Sequence, residues 1–489
     1  MFLKFTLKTA VFLRDAHDDV GGERRLFRFS HRQSIYKSPV SPPSLSSMGF
    51  LDKILDNLPE VQPPTEKRLP FKEKLKWTLI VLVLYFLLGM VPLFGLGVNA
   101  LQQFQFLEVV LGASFGSIIT LGIGPIVTAS IVLQLVNGSG LVKFDLTSHE
   151  GKARFQGIQK LLSVFFVILE GFIYVVTGGL SPLAGVPTWI IVFQLFLGGV
   201  LIMLMDEVVT KWGFGSGISL FIAAGVAKEI FVRALNWLPS PTNPDIPAGA
   251  LPAVIKALSL GDLQTVEIEL SVLIATLVVF IVAVYTQAMK VEIPLSFGRI
   301  RGQGMRWPLN FFYTSNIPVI LVAALLANFQ LLGRLVPGLS WLANIVNNPN
   351  ILRQVITASF GWASLWQTLL YVLIFIVGSL VFGLFWVQTA GLDPRSQAKQ
   401  IMASGLQIPG FRKDERVLER MLARYIWPLT VVGSIAVGAI AALAGLTGAL
   451  GSGTGILLTV MIVYQLYQII AQQHLMDMNP ALQKFMGRR

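Results

Sequence analysis

Apolar residues in this chain come in long, nearly unbroken runs, not in the alternating or one-face patterns of soluble strands and helices. A helix needs about 20 largely apolar residues to cross the hydrocarbon core of a bilayer. Ten windows approach that requirement: Trp77–Leu96, Ile123–Val136, Leu161–Gly178, Thr188–Met205, Gly217–Leu235, Ile268–Ala288, Leu309–Leu332, Leu365–Val387, Ile426–Ala444 and Ile456–Gln473. The second is too short for a full crossing and follows a Gly/Ser-rich apolar stretch, Val109–Gly122, which reads as a separate half-helix. The pattern predicts an all-α polytopic membrane protein with ten transmembrane helices.

Composition supports that reading. Of 489 residues, 54% are hydrophobic and only 13% charged, against about 25% charged in soluble domains. So few charges cannot build a water-facing surface. Cysteine is absent, which excludes disulfides, cysteine–zinc sites and thiol catalysis. The histidines, His17, His31, His149 and His474, lie far apart and form no helical metal pair. No phosphate-binding Gly-x-x-x-x-Gly-Lys-Ser/Thr loop is present, so nothing in the sequence supports an enzyme and no cofactor is expected.

The net charge of +12 is unevenly placed. Lys and Arg collect in cytoplasmic loops, and here they precede the first span (Lys67, Arg68, Lys72, Lys74, Lys76), separate spans two and three (Lys143, Lys152, Arg154), spans six and seven (Lys290, Arg299, Arg301, Arg306) and spans eight and nine (Arg395 to Arg424), and follow span ten (Lys484, Arg488, Arg489). The intervening loops carry Lys256, Arg334 and Arg353. Both termini are therefore expected in the cytoplasm, with the chain in the cell (plasma) membrane. Residues 1–47 are polar, of mixed charge and turn-rich at their end, and read as a disordered extension without the apolar core of a signal peptide. Residues 48–76 form a cytoplasmic segment in which Phe50, Leu51, Ile54, Leu55 and Leu58 recur at interfacial-helix spacing. If translation starts at Met48 in the cell, N-terminal sequencing of native protein will find it there. The remaining organisation is a first five-helix half at 77–235, an external connection at 236–267, a second half at 268–474 with basic cytoplasmic loops, and a tail at 475–489.

Two short echoes suggest how the halves are related. Gly215-Ser216-Gly217-Ile218 opens span five and Gly451-Ser452-Gly453-Thr454-Gly455-Ile456 opens span ten; Pro125-Ile126-Val127 opens span two and Pro318-Val319-Ile320 lies near the start of span seven. Gly and Pro are common in membrane helices in any case, but matching positions in spans 2/7 and 5/10 imply a repeat of five plus five. Five is odd, so the halves are inverted relative to one another, an arrangement that builds a central pathway. Ion and solute transporters place ionisable groups near mid-bilayer. The carboxylate well inside a span is Glu170, with Glu108, Asp206 and Glu207 at edges, and the segments that should line a pathway carry Ile, Val and Leu. A pore lined by branched aliphatics cannot coordinate ions, but it can exclude water until something large fills it.

The strings Thr120-Leu121-Gly122-Ile123-Gly124-Pro125-Ile126-Val127-Thr128-Ala129-Ser130, Gly215-Ser216-Gly217-Ile218-Ser219-Leu220-Phe221-Ile222-Ala223-Ala224-Gly225 and Ser315-Asn316-Ile317-Pro318-Val319-Ile320-Leu321 closely resemble the SecY family of protein-conducting channels in its archaeal form. The likeness runs from about Met48 to the C terminus; the leader departs from it, and the connection Leu331–Trp366 looks long. The resemblance implies two five-helix halves around an hourglass pore that passes unfolded polypeptides across the membrane and releases transmembrane segments sideways into lipid. It implies a pore ring of Ile123, Val127, Ile218, Ile222, Ile320 and Leu458, and the i, i+4 spacing of Ile123/Val127 and Ile218/Ile222 puts each pair on one helix face. Leu457 stands beside Leu458 and competes for its place. The plug would be Leu111, Gly112, Ala113, Ser114, Phe115, Gly116, Ser117, Ile118, Ile119 and Thr120, whose small side chains suit close but reversible packing. The lateral gate would be Thr128, Glu170 and Asn328. Two protruding basic hairpins, Lys290–Trp307 and Leu392–Arg424, would dock the ribosome through Arg299, Arg301 and Arg395, an electrostatic attraction to RNA phosphate. The implied partners are SecE and a small beta-type subunit in a heterotrimer, the ribosome, signal sequences, nascent polypeptides and membrane lipid. The competing readings are an inverted-repeat secondary transporter of a small solute, which the poverty of buried ionisable groups opposes, and an insertase scaffold without a pore, for which loss of the plug would change nothing.

Overall fold

Ten long helices occupy the ten windows. The computed structural model describes residues 59–65, 69–99, 111, 113–138, 141–142, 144, 149–240, 245–297, 304–336, 338–403, 406–407, 415–450 and 452–478. The extension 1–47, the expected interfacial helix before Pro59, the residues Gly112, Arg299 and Arg301, and most of the tail lie outside that set. In chain order the helices are α1 Phe71–Met90, α2 Gly124–Gly138, α3 His149–Val176, α4 Thr188–Trp212, α5 Gly217–Leu235, α6 Ala250–Leu260, α7 Leu263–Gln287, α8 Ile317–Leu335, α9 Ser340–Val346, α10 Ile351–Ile356, α11 Trp362–Thr389, α12 Pro394–Ala403, α13 Glu415–Leu446 and α14 Gly453–Met478. Spans one to ten are α1 to α5, α7, α8, α11, α13 and α14. Seven of these are long and apolar enough by themselves to cross a membrane, among the described residues. The other three explain themselves: α1 opens on Lys72, Glu73, Lys74 and Lys76, α5 carries Lys228, Glu229 and Arg233, and α2 has 15 residues, about 22 Å at roughly 1.5 Å per residue.

Three expectations are corrected. Span one ends at Met90 instead of Leu96, because Pro92 cannot continue the helix ladder and Leu96–Asn99 becomes strand β1, paired antiparallel with β2, Leu180–Pro182. Span seven begins at Ile317 and not at Leu309. Leu309 is buried, but it lies in strand β4, Gly304–Asn310, which pairs with β3, Lys290–Phe297; Pro318 then sits in the first helical turn, where its missing N–H costs nothing. Third, the expected half-helix Val109–Gly122 is helical only at Leu111 among its described residues, while residues 113–122 are turns and irregular backbone. Gly116 and Gly122 adopt left-handed φ of 92° and 54°, and two hydrogen bonds tie the segment to the residues just after the first span: Leu93 N donates to Gly116 O at 2.9 Å and Ile118 N to Val91 O at 3.0 Å.

The repeat is visible in the backbone. A left-handed residue stands two positions before each short-entry helix: Gly122 before α2 at 124 and Ser315, φ 61°, before α8 at 317. At the next level, a Cβ on Gly217 would fall 2.6 Å from the Asp206 Cα, and one on Gly453 would fall 1.7 Å from the Ala444 carbonyl oxygen. Thus α4–α5 and α13–α14 cross at the same glycine. A third pair is deeper. A Cβ on Gly198 of α4 would fall 1.8 Å from Ile118 O, and one on Gly433 of α13 would fall 2.7 Å from Phe311 O; Ile118 precedes α2 by six positions (118 to 124) and Phe311 precedes α8 by six (311 to 317).

The halves meet along two seams. Helix α2 packs against α3 in its own half and against α8 and α11 of the other, while α5 packs against α14. On the loop side, β5, Leu406–Gln407, adds to β3, so that β4, β3 and β5 form one three-stranded sheet. The second basic loop is therefore helix α12 followed by a strand, and not a hairpin.

Candidate functional site

The expected ring residues come together at the middle of the bundle. Ile123, Val127, Ile222, Ile320 and Leu458 are each 4% exposed or less and share one hydrophobic cluster, against which the partly buried Ile218 packs. They arrive there from α2, α5, α8 and α14 and from the turn before α2, that is, from both halves. Removing each branched side chain from water is worth roughly 1.5–3 kcal/mol, so the closed arrangement is the comfortable one. Leu457 is buried in the same cluster, and the repeat favours Leu458 as the counterpart of Ile222. Leu458 stands five residues after Gly453, as Ile222 stands five after Gly217 (453 to 458, 217 to 222), and Val127 and Ile320 are each the fourth residue of their helix.

Residues 113–120 pack beside the ring residues. Ile119 belongs to the ring cluster, whereas Leu111, Ala113 and Phe115 enter a second cluster with Val167 and Leu195 of the same half and Ala327 and Leu331 of the other. Ser114 Oγ donates to Gly89 O at 3.1 Å, and Thr120 Oγ1 donates to Ser117 O at 2.5 Å and accepts from Gly116 N at 2.9 Å. The segment is thus folded on itself and stitched to the end of α1. No sequence signal revealed this: the small residues that favour a loose helix are equally those that permit left-handed turns.

Thr128, Glu170 and Asn328 are joined. Thr128 Oγ1 shares its hydrogen between Glu170 Oε1 and Gly124 O, both at 2.9 Å, and accepts from Asn328 Nδ2 at 2.9 Å. One hydroxyl therefore links α2, α3 and α8 across the seam between halves. Glu170 Oε2 is buried with no hydrogen-bond partner. A Cβ at Gly124 would lie 3.2 Å from it, so the glycine of the motif leaves room for the carboxylate. Further along the same seam, a Cβ on Gly138 of α2 would fall 2.5 Å from the ring of Phe385 on α11, a contact that no sequence pattern singles out.

Other charged groups lie outside the predicted site. Lys228 and Glu229 on α5 line a cavity of about 40 Å³ together with Ser114, and Glu229 pairs with Arg233 at 3.8 Å. At the far end of α4, Glu207 pairs with Lys160 and accepts Val61 N at 2.9 Å, while Lys211 Nζ bonds Glu60 Oε1 at 2.5 Å and Val61 O at 2.6 Å. The Lys211 ammonium holds the Glu60 carboxyl below its ordinary pKa. Arg395 is exposed at the start of α12. No group of three or more His, Asp and Glu able to hold a metal ion occurs among the described residues.

Known proteins share this arrangement. The family model described as SecY matches residues 117–467. A protein translocase subunit SecY of Methanothermobacter thermautotrophicus is 47% identical over 442 residues, covering 88% of this chain and 97% of that one. A SecY structure, whose plug domain is described as stabilising the closed state of the translocation channel and maintaining a membrane seal, superposes with a TM-score of 0.75 at 40% identity, covering 88% of this chain and 99% of that one. Sec61 in the canine ribosome–channel complex of the endoplasmic reticulum superposes with a TM-score of 0.72 at 39% identity over the same shares.

Proposed function

We propose, because this chain belongs to the SecY family of protein translocase subunits and forms the pore of a protein-conducting channel, a division of labour among its side chains. The chain is a multi-pass membrane protein, and its family is one of protein-translocation channels. Within it, Ile123, Val127, Ile218, Ile222, Ile320 and Leu458 form the constriction, residues 111–120 are the plug, and Thr128, Glu170 and Asn328 latch the lateral gate.

The observation that carries this reading is the meeting of the aliphatic residues from both halves in one buried cluster. Water and ions are excluded from such a collar because it offers them no polar partner. A threading polypeptide parts it, since each side chain can exchange its neighbours for the chain itself. The motive force comes from outside, from chain elongation on the ribosome or from another motor. The test is a stalled nascent chain with a photoreactive residue in the pore: it should crosslink to positions 123, 222 and 320 together, and crosslinks confined to lipid-facing positions such as Leu277 would overturn the assignment.

The gate follows from the Thr128 hydroxyl. Its bonds to α3 and α8 hold the seam shut, and an apolar signal helix replaces the helix–helix contact with its own packing. A signal sequence is thereby tested for hydrophobicity before it leaves for lipid.

The basic loops receive the ribosome through Arg395, Arg299 and Arg301, by the same electrostatic logic that governs RNA phosphate; the canine channel structure with its ribosome supports this partner. Arg395→Glu should weaken ribosome binding and flatten its salt dependence, the affinity deficit against wild type being largest at low salt and shrinking as salt rises in a sedimentation assay; binding equal to wild type at every salt concentration removes Arg395 from the contact. SecE and a small beta-type subunit complete a heterotrimer, SecE clasping the two halves where α1 and α7 expose apolar faces, Val83 and Leu87 on the one and Leu277 and Ile281 on the other. The chain lies in the plasma membrane with both termini in the cytoplasm.

A further inference from the structure

We infer that Gly198 of α4 is the positioning residue that sets the resting depth of the plug, an inference that rests on reading residues 111–120 as that plug. A Cβ at position 198 would fall 1.8 Å from Ile118 O and 2.8 Å from Ile118 C. Both are backbone atoms, so no side-chain rotation relieves the clash. The whole turn has to retreat until the separation exceeds the 3.0 Å below which Cβ contacts are essentially never seen. Such a shift pulls against the bonds of the same turn to the residues just after α1, Ile118 N to Val91 O at 3.0 Å and Leu93 N to Gly116 O at 2.9 Å, which already lie near the middle of the usual range of about 2.7–3.2 Å. Adjacent Gly199 differs, since its nearest neighbour is the side chain of Val167, at 2.5 Å.

The repeat explains why a glycine stands there. Gly433 on α13 makes the equivalent approach to Phe311 O in the other half. There the carbonyl belongs to a turn fixed between β4 and α8. In the first half the same glycine-to-carbonyl contact is turned to a different use: it receives a segment that must leave. The closeness of the approach gives the plug a defined berth, and the absence of a side chain lets it depart without dragging a neighbour.

The experiment compares Gly198→Ala, Gly199→Ala and Gly433→Ala in the full purified channel complex reconstituted in planar bilayers, each with and without deletion of residues 113–120. Gly198→Ala should raise resting ion conductance severalfold over wild type, Gly199→Ala and Gly433→Ala should not, and in the deletion background Gly198→Ala should add nothing. Wild-type conductance for Gly198→Ala, alongside a leaking deletion, overturns the inference and leaves the plug intact as a reading. A deletion that does not leak overturns the plug itself. Equal leak from all three alanines assigns the effect to general loosening and overturns the inference. A second measurement needs no change at 198: photo-leucine at position 118 should crosslink to residues of α4 at rest and lose that crosslink when a nascent chain is trapped, and a crosslink that persists unchanged overturns the proposed berth.

Discussion

Joining residues 89 and 114 through a disulfide is expected to reduce protein translocation to background, and reductant is expected to restore it. A Cβ built on Gly89 lies 3.7 Å from the Ser114 Cβ, inside the range of about 3.5–4.5 Å that a disulfide spans. Gly89 sits in the last turn of α1 with ordinary helical geometry, so a side chain is tolerated there. The native hydrogen bond from Ser114 Oγ to Gly89 O already holds the two positions together. Since the chain has no cysteine of its own, Gly89→Cys/Ser114→Cys leaves one possible pairing within it. Oxidation would tie the plug to a helix that does not line the gate. Translocation into vesicles, read with and without oxidant and reductant, decides the matter. Wild-type transport through fully oxidised channels would show that residues 111–120 need not move.

Thr128→Val should have the second large effect. Valine keeps the shape but withdraws the one hydroxyl that α2, α3 and α8 share, leaving the Asn328 amide and the Glu170 carboxyl without it. A buried polar group left unpaired costs on the order of 1–3 kcal/mol, and about 1.4 kcal/mol is a factor of ten in an equilibrium. The closed gate should lose stability by that amount, and precursors with weakened signal sequences should pass roughly 10- to 100-fold more often. Asn328→Leu removes one bond and leaves Thr128 to serve Glu170, so its effect should be smaller, about fivefold for roughly 1 kcal/mol. Transport of a precursor with a crippled signal sequence measures both. Equal stringency in wild type and Thr128→Val would mean that the three residues do not govern opening.

What the sequence disclosed and what it hid have physical causes. The helices were legible because hydrophobic length is nearly the only requirement for crossing lipid, and Gly217–Leu235 was read to the residue. Glu170 was legible because a lone carboxylate in an apolar helix stands out, whereas its partners Thr128 and Asn328 were named only through the family resemblance. The hairpin expected at Lys290–Trp307 is present, but its second strand, Gly304–Asn310, runs into the window assigned to span seven, because Leu309 is indistinguishable by composition from membrane helix. The plug's turns were missed because Gly116 and Gly122 are permissive in either conformation. Gly198 and Gly433 were invisible for a different reason. Their significance lies in a backbone atom more than a hundred residues away in one case and about eighty in the other, and in a pairing that only the fold displays.

The three-stranded sheet β4-β3-β5 joins the loop before α8 to the loop after α11 through backbone hydrogen bonds. Both loops leave the second half of the molecule. A large body that grips either one therefore takes hold of that entire half, with the sheet acting as a handle. The first half, which carries α2, α3 and residues 111–120, would then be the leaf left free to swing.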